Sequence, residues 1–256
     1  MRRLVALLLL ALAAALGGCA STPPPGAAPA ASLGQNPADP WEAFNRKVFA
    51  FNDALDEAIV KPVATAYTKV VPELVRKGVD NFFGNIGDVW SAFNQLLQGK
   101  VHHGLDMGMR VLTNTLFGLG GILDPATEFG LVRRSEDFGQ TLGRWGMGPG
   151  PYVVLPLFGP RNVRDTVGLV GDRQFDAPAF VSDDAASYAV SALQLLNTRA
   201  NLLSATRLLD QVALDRYSFV RDAYLQRRRD LVYDGAPPLE SFDDDDPEAD
   251  DKKPKK

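Results

Sequence analysis

One cysteine, two histidines and no apolar run of membrane-spanning length set the first limits on this chain of 256 residues. With Cys19 as its single thiol, no disulfide can form within the chain, and the core alone must hold the fold. His102 and His103 are adjacent. Neighbouring helix positions point about 100° apart and do not make a zinc pair, so both read as surface or helix-start residues. There is no HExxH, and no serine has glycine both two places before and two places after it, so the zinc-hydrolase and nucleophile-elbow signatures are missing. Gly146-Met147-Gly148-Pro149-Gly150 is not a phosphate loop, because no Lys-Ser/Thr pair follows and Pro149 and Pro151 lack the amide donors a phosphate needs. Asp165, Asp172 and Asp176 could be imagined as acid and base, but solvated helix or loop charge is the simpler reading. No enzyme, metal or cofactor is expected.

The longest apolar run, Leu4 to Leu16, follows Arg2-Arg3 and leads into Gly17-Gly18-Cys19. At ~1.5 Å per residue such a run reaches roughly 20 Å, short of a ~30 Å hydrocarbon core. It has instead the grammar of a secretory signal: positive start, apolar centre, small residues before the cut. Leu16-Gly17-Gly18-Cys19 resembles the bacterial lipobox, which implies a signal peptide over 1–18 and a lipidated Cys19 at the mature N-terminus. The alternative is an ordinary signal with a chance thiol, but the only cysteine stands at the boundary. Each buried methylene contributes about 0.8 kcal/mol, so two or more chains anchor stably where one does not. The resemblance implies three. Ala20, in place of aspartate, favours the outer over the inner membrane.

Hydrophobic residues make up 46% and charged residues 23%, so the body is globular. The formal charge of −4 becomes more acidic once Arg2 and Arg3 leave, which argues against a nucleic-acid partner. Residues 19–38 form an Ala/Pro-rich tether. Residues 236–256 form an acidic then basic tail, whose Asp243 to Asp246 run lacks EF-hand spacing. Between them, 39–235 is one domain.

That domain is mostly α. Asp39-Pro40-Trp41-Glu42 reads as a helix start with Asp39 as N-cap. Trp41, Phe44, Val48, Phe51, Leu55 and Ile59 then advance by three or four, with Asn45, Asn52 and Asp56 opposite and Phe49 off the stripe. Either this helix is buried on two sides, or part of its aromatic surface (Trp41, Phe44, Phe49, Phe51) faces lipid. Further helices are expected near Pro72–Phe83, Asp88–Gln98, His102–Phe117, Ser182–Leu196, Thr198–Leu209 and Asp215–Val232. Gly104 and Gly108, four apart, would let another backbone approach. Strand signal is confined to Tyr152–Phe158, where Pro156 interrupts it.

From Phe117 to Pro160 the helical pattern gives way to ten of the 23 glycines and to five prolines among large apolar residues. A long irregular stretch inside a compact domain is usually functional. This one suggests a lip, plug or re-entrant element, which is tolerated at membrane depth only where protein or water satisfies its backbone.

Asp39-Pro40-Trp41-Glu42-Ala43-Phe44-Asn45-Arg46, Lys61-Pro62-Val63-Ala64, Asn114-Thr115-Leu116-Phe117-Gly118, Phe138-Gly139-Gln140-Thr141-Leu142-Gly143 and Gly148-Pro149-Gly150-Pro151-Tyr152 carry a family likeness. Over about 39–235 the chain resembles the MlaA/VacJ family of outer-membrane lipoproteins. The resemblance implies a helical ring, sunk on one side into the inner leaflet of the outer membrane, around an amphipathic channel. Stray phospholipid would pass through it, with a trimeric porin as partner and a periplasmic lipid carrier as recipient. Val48, Phe138, Gly139 and Gly143 are the candidate lining, with Gly146 as a flexible point. A scaffold lipoprotein that passes no lipid is the second reading, and a hydrolase with an unrecognised site the third.

Overall fold

The computed structural model describes residues 36–238. Cys19, the signal, nearly all of the tether and the tail beyond Pro238 lie outside them. From Pro37 onward the described chain is one mostly helical unit. Helix α1 (Glu42–Leu55) continues through a π turn at Asp56–Val60 into α2 (Lys61–Val70). Next come α3 (Glu73–Leu97), α4 (Val101–Phe117), the short α5 (Pro125–Glu128) and α6 (Phe138–Arg144). A hairpin of β1 (Tyr152–Leu155) and β2 (Gly159–Asn162) leads to α7 (Val163–Asp172) and a 3-10 turn at Ala177–Phe180. Long α8 (Asp184–Val212) and α9 (Arg216–Val232) complete the described residues.

Two expected breaks do not occur. The helices expected on either side of Gly84 and Gly87 are one helix, α3, and those on either side of Asn197 are one helix, α8. Each helical glycine costs about 1 kcal/mol relative to alanine, and packing offsets this. A Cβ on Gly84 would lie 2.8 Å from Arg133 Nη1, so the bare backbone leaves room for that guanidinium. Asn197 is buried, accepts a 2.9 Å bond from Tyr67 Oη and donates to Asp80, so it ties α8 to α2 and α3. Of the glycine pair on α4, only Gly104 sits tight, against Leu96 and the Ala92 carbonyl, while Gly108 faces open space.

Asp39 does not cap α1. Trp41 holds that position without a side-chain bond, and Asp39 is fully buried, accepting from Asn45 Nδ2 at 2.8 Å, from Tyr217 Oη and from Arg221. Asn45 in turn donates to the Tyr152 carbonyl at 3.0 Å and accepts from Val154 N at 2.9 Å. One turn-pair on, Asn52 donates to the Leu155 carbonyl at 3.0 Å and accepts from Leu157 N at 2.9 Å. Two asparagine side chains thus serve β1 as a third strand would, and its free edge is not left bare. The β2 strand was not legible, since Gly159-Pro160-Arg161-Asn162 has no β preference. It pairs antiparallel with β1, Tyr152 opposite Asn162 and Leu155 opposite Gly159. Pro160 fits because its partner Val154 turns its N–H to Asn45. Pro156 falls in the turn, where Leu157 takes a φ of 68°.

Polarity runs the wrong way for a water-soluble bundle. On α3 the buried residues are Gly78, Asn85, Asp88, Ser91, Asn94 and Gln95, while Leu74, Val89, Phe93 and Leu96 are exposed. On α4, Arg110, Thr113 and Asn114 are buried beside Met107, and Leu105, Met109, Leu112 and Leu116 are exposed. On α1, Asn45 is buried, while Trp41, Phe44 and Phe51 are 46%, 56% and 55% exposed. The aromatic stripe is therefore not buried on two sides. Phe49, off the stripe, is the ring turned inward, edge-on to Tyr217 at 5.6 Å. The apolar core is small: one cluster of Tyr152, Val154 and Tyr217, and another of Ala64, Ala200 and Leu203.

Candidate functional site

A polar interior is stable only if each buried charge has partners. Arg110 on α4 is fully buried and holds Asp124 through two 2.9 Å bonds, with Asp88 of α3 at 3.5 Å. Arg228 on α9 grips Asp137 at 2.6 and 2.9 Å and Asp165 at 3.0 Å, joining α6, α7 and α9. Asp165 also accepts from Asn162 at 2.9 Å, Arg164 at 3.0 Å and Tyr224 Oη at 2.6 Å. This carboxylate is the hub of a buried network and not the solvated charge expected from sequence. Burial alone would raise the Asp137 acid, but the Arg228 guanidinium holds it below its ordinary range. Arg199 clamps Asp56 at the π turn with two 2.7 Å bonds.

Against this framework lie three adjoining cavities around α3. The first, of about 860 Å³, is walled by Leu74, Val75, Phe82 and Phe83, by Phe117, Ile122 and Leu123, and by Val190 and Leu193 of α8. The second, of about 460 Å³, is lined by Phe82, Ile86, Val89, Trp90, Phe175, Phe180 and Val190. The third, also about 460 Å³, is charged: Asp88, Arg133, Glu136, Asp137, Arg161, Asp172, Arg173 and Asp176, beside Trp90, Phe158 and Phe175. Adjacent cavities share walls, Phe82 and Val190 between the first two, Trp90 and Phe175 between the last two. Trp90 and Phe175 stack at 3.9 Å. The first cavity is thus mainly apolar with Lys77, Asp124 and Glu128 also in its wall, the second is wholly apolar, and the third is ionic.

The residues singled out from sequence are dispersed. Val48 packs on the Tyr152/Val154/Tyr217 cluster. Phe138 starts α6, its ring 6.4 Å from Trp90 and 6.1 Å from Trp145, and its N–H donates to Asp172 at 2.8 Å. Gly139 is at a helix crossing: a Cβ on Gly168 of α7 would stand 2.5 Å from Gly139 N. Gly143 lies under Arg164 and Val232. Gly146 has a φ of 97° and open space beside it. None of these five lines the three cavities, although Phe138 touches Trp90 and Asp172, which do. Sequence reading missed Arg161 and Arg133 as cavity residues and named Asp172 only as solvated charge. Arg133 had a signal in the charged run Arg133 to Asp137 inside an otherwise apolar, glycine-rich stretch, whereas Arg161 and Asp172 lie beyond that stretch. His102 stands exposed on the first turn of α4, 3.1 Å from Asp106. Among the described residues no helix is long and apolar enough to cross a membrane.

Fold and site together define a helical protein of inverted polarity, charged within and apolar without, carrying adjoining apolar and ionic cavities. Comparison with known proteins places it among its relatives. The MlaA lipoprotein family matches residues 37–231, and the chain belongs to that family. It is 37% identical to the intermembrane phospholipid transport system lipoprotein MlaA of Escherichia coli K12, over 82% of this chain and 84% of that protein. The protein of the same description from Haemophilus influenzae is 31% identical, over 77% and 80%. A solved structure concerned with the maintenance of bacterial outer membrane lipid asymmetry is 36% identical. It superposes with a TM-score of 0.67, covering 76% of this chain and 98% of that one.

Proposed function

We propose that this protein is a lipid-anchored conduit of the outer membrane, which takes phospholipids that have strayed into the outer leaflet and passes them inward. The observation that carries the reading is the set of adjoining cavities, apolar at Phe82 and ionic at Asp172, that share wall residues. A phospholipid needs such a route, because its headgroup is costly to bury unpaired and its tails are driven from water. The exposed stripes of α1, α3 and α4 support a body sunk partway into a leaflet, where apolar side chains meet acyl chains. Trp41, Phe44 and Phe51 would face lipid, and Phe49 would brace the helix from within. The relatives named for intermembrane phospholipid transport support the same substrate.

Acyl chains on Cys19 would keep the protein at the periplasmic face of the outer membrane. A trimeric porin would hold it in place, and a periplasmic lipid carrier would receive the cargo. Gly146, free of side-chain contacts and at positive φ, would let the segment after α6 move as lipid passes. The direction of flow would come from the recipient, since the chain offers conduction and not energy conversion.

The test is the phospholipid content of the outer leaflet in cells lacking the gene. It should rise, return to normal with the intact chain, and stay high with Cys19→Ser. Normal outer-leaflet lipid in the deleted strain would refute the conduit.

A further inference from the structure

The third cavity holds a charge pattern that its own residues leave incomplete, and a part for it in lipid selection rests on the conduit function proposed for the chain. Most of its ions are matched: Arg133 with Asp88 at 3.1 Å, Glu136 with Lys100 at 3.1 Å, Asp137 with Arg228 at 2.6 Å, Arg173 with Asp176 at 3.0 Å. Arg161 and Asp172 are not. The Arg161 side chain makes no ion pair or hydrogen bond among the described residues, and its Nε is shut from solvent without a partner. Asp172 spends Oδ1 on Trp90 Nε1 at 2.7 Å and Phe138 N at 2.8 Å, while Oδ2 has no hydrogen bond and no cation pairs with the carboxylate. Both side chains line one cavity of about 460 Å³; Arg161 is near enough to favour the Asp172 carboxylate through space, against the burial that disfavours it, but the two make no direct ion pair.

A half-buried guanidinium and a half-buried carboxylate that feel each other only through space each lack a direct partner, and they would favour a guest bearing both opposite charges. Guanidinium suits phosphate in particular, through its planar fork of donors. The carboxylate oxygen left over suits an ammonium. A headgroup carrying phosphate and ammonium satisfies both, while one that ends in hydroxyls satisfies Arg161, engages the one cation whose field reaches Asp172, and brings the carboxylate no cation in contact. The apolar second and first cavities, reached past the stacked Trp90 and Phe175, lie where the tails of such a lipid would go.

We propose that Arg161 and Asp172 form a headgroup site that selects zwitterionic phospholipid with a terminal ammonium, as in phosphatidylethanolamine, over anionic phosphatidylglycerol.

The full-length lipidated protein, purified in mild detergent and equilibrated with vesicles of equal phosphatidylethanolamine and phosphatidylglycerol, can be extracted and its bound lipid counted by mass spectrometry. The bound pool should be several-fold richer in phosphatidylethanolamine than the vesicles. Asp172→Asn, which keeps the Oδ1 acceptor for Trp90 and Phe138, should bring the ratio down to that of the vesicles. Arg161→Gln should lower both lipids several-fold, and Arg161→Lys should retain the preference. Melting temperatures report whether each variant folds, and if Asp172→Asn does not, the Arg161 pair carries the test alone. A wild-type ratio equal to that of the vesicles, or one unmoved by the variants, overturns the headgroup site while leaving the conduit standing. Protein carrying no phospholipid overturns both. Soluble phosphoethanolamine should not displace the bound lipid, and displacement would overturn a lipid site in favour of a free zwitterion.

Discussion

Asn45 holds Val154 as a neighbouring strand would, its side-chain amide accepting from the Val154 N–H at 2.9 Å and donating to the Tyr152 carbonyl at 3.0 Å. A helix thereby completes a hairpin, and the buried Asp39 fixes the amide from behind at 2.8 Å. The polar stripe of α1 is the inner one for this reason. It has backbone groups to satisfy, and the aromatic stripe has none.

Removing that amide should be costly. Asn45→Ala leaves a buried N–H, a carbonyl and the Asp39 carboxylate each short of a partner, and should lower stability by about 3 kcal/mol or more. Asn52→Ala, whose partner Leu157 is exposed, should cost about 1 kcal/mol. Thermal melts of the two variants in detergent should rank them in that order, and equal losses would mean that the Asn45 amide is not special.

Gly168→Ala should be as damaging through sterics alone. The added methyl would meet Gly139 N at 2.5 Å and Gly139 Cα at 2.7 Å, and backbone cannot turn aside as a side chain can. We expect about 3 kcal/mol of destabilisation from overpacking. By contrast Gly146→Val meets nothing within reach, so it should cost only the about 1–2 kcal/mol of its left-handed backbone and reduce lipid passage more than folding. A melt and a transport assay on the same preparations separate the two, and parallel losses would remove Gly146 as a flexible point.

Acid should weaken the Asp124 joint. Burial pushes its carboxyl up, but bonds from Thr127, Asn114 and Arg110 outweigh this and bring it from 3.8 to about 2. The folded state therefore binds fewer protons than the unfolded one between those values. The stabilisation is complete above the ordinary carboxylate range and is lost as pH falls through about 2. Burial raises Asp88 and Glu136, which act in the opposite sense, losing stability as pH rises past their ordinary values. Comparison with Asp124→Asn isolates the Asp124 contribution: the variant should be less stable at neutral pH by about 3 kcal/mol, with the gap closing toward pH 2. A gap that stays constant with pH would contradict the assignment.

The exposed aromatic rings should matter to membranes and little to folding. Phe44→Ser with Phe51→Ser removes two rings that are more than half exposed, so stability should change by only about 0.5 kcal/mol. Association with vesicles should fall at least roughly tenfold, since each ring transferred from water contributes about 2 kcal/mol. Flotation of the Cys19→Ser form keeps the acyl anchor from masking the effect. Unchanged flotation would mean these rings do not face lipid.

Much of this was legible from sequence, and the gaps have physical causes. Periodicity gave the helical class, but a period does not say which stripe faces in. Asn45, Asn52 and Asp56 were visible as a polar row, and only their partners, the β1 backbone and Arg199, show that the row is the inner one. Gly84, Gly87 and Asn197 read as interruptions because local preference was weighed without the neighbours that override it. The β2 strand and the Arg161–Asp172 juxtaposition depend on contacts across the chain that no local pattern encodes. The order of motifs from Asp39 to Tyr152 carried the family likeness intact.

A block placed where the first two cavities share a wall distinguishes conduction from scaffolding. Val190→Trp fills that junction without touching the ionic network or Cys19. In cells carrying it at normal abundance in the outer membrane, outer-leaflet phospholipid should rise to the level of the deleted strain. If it stays at the wild-type level, lipid does not travel through this interior.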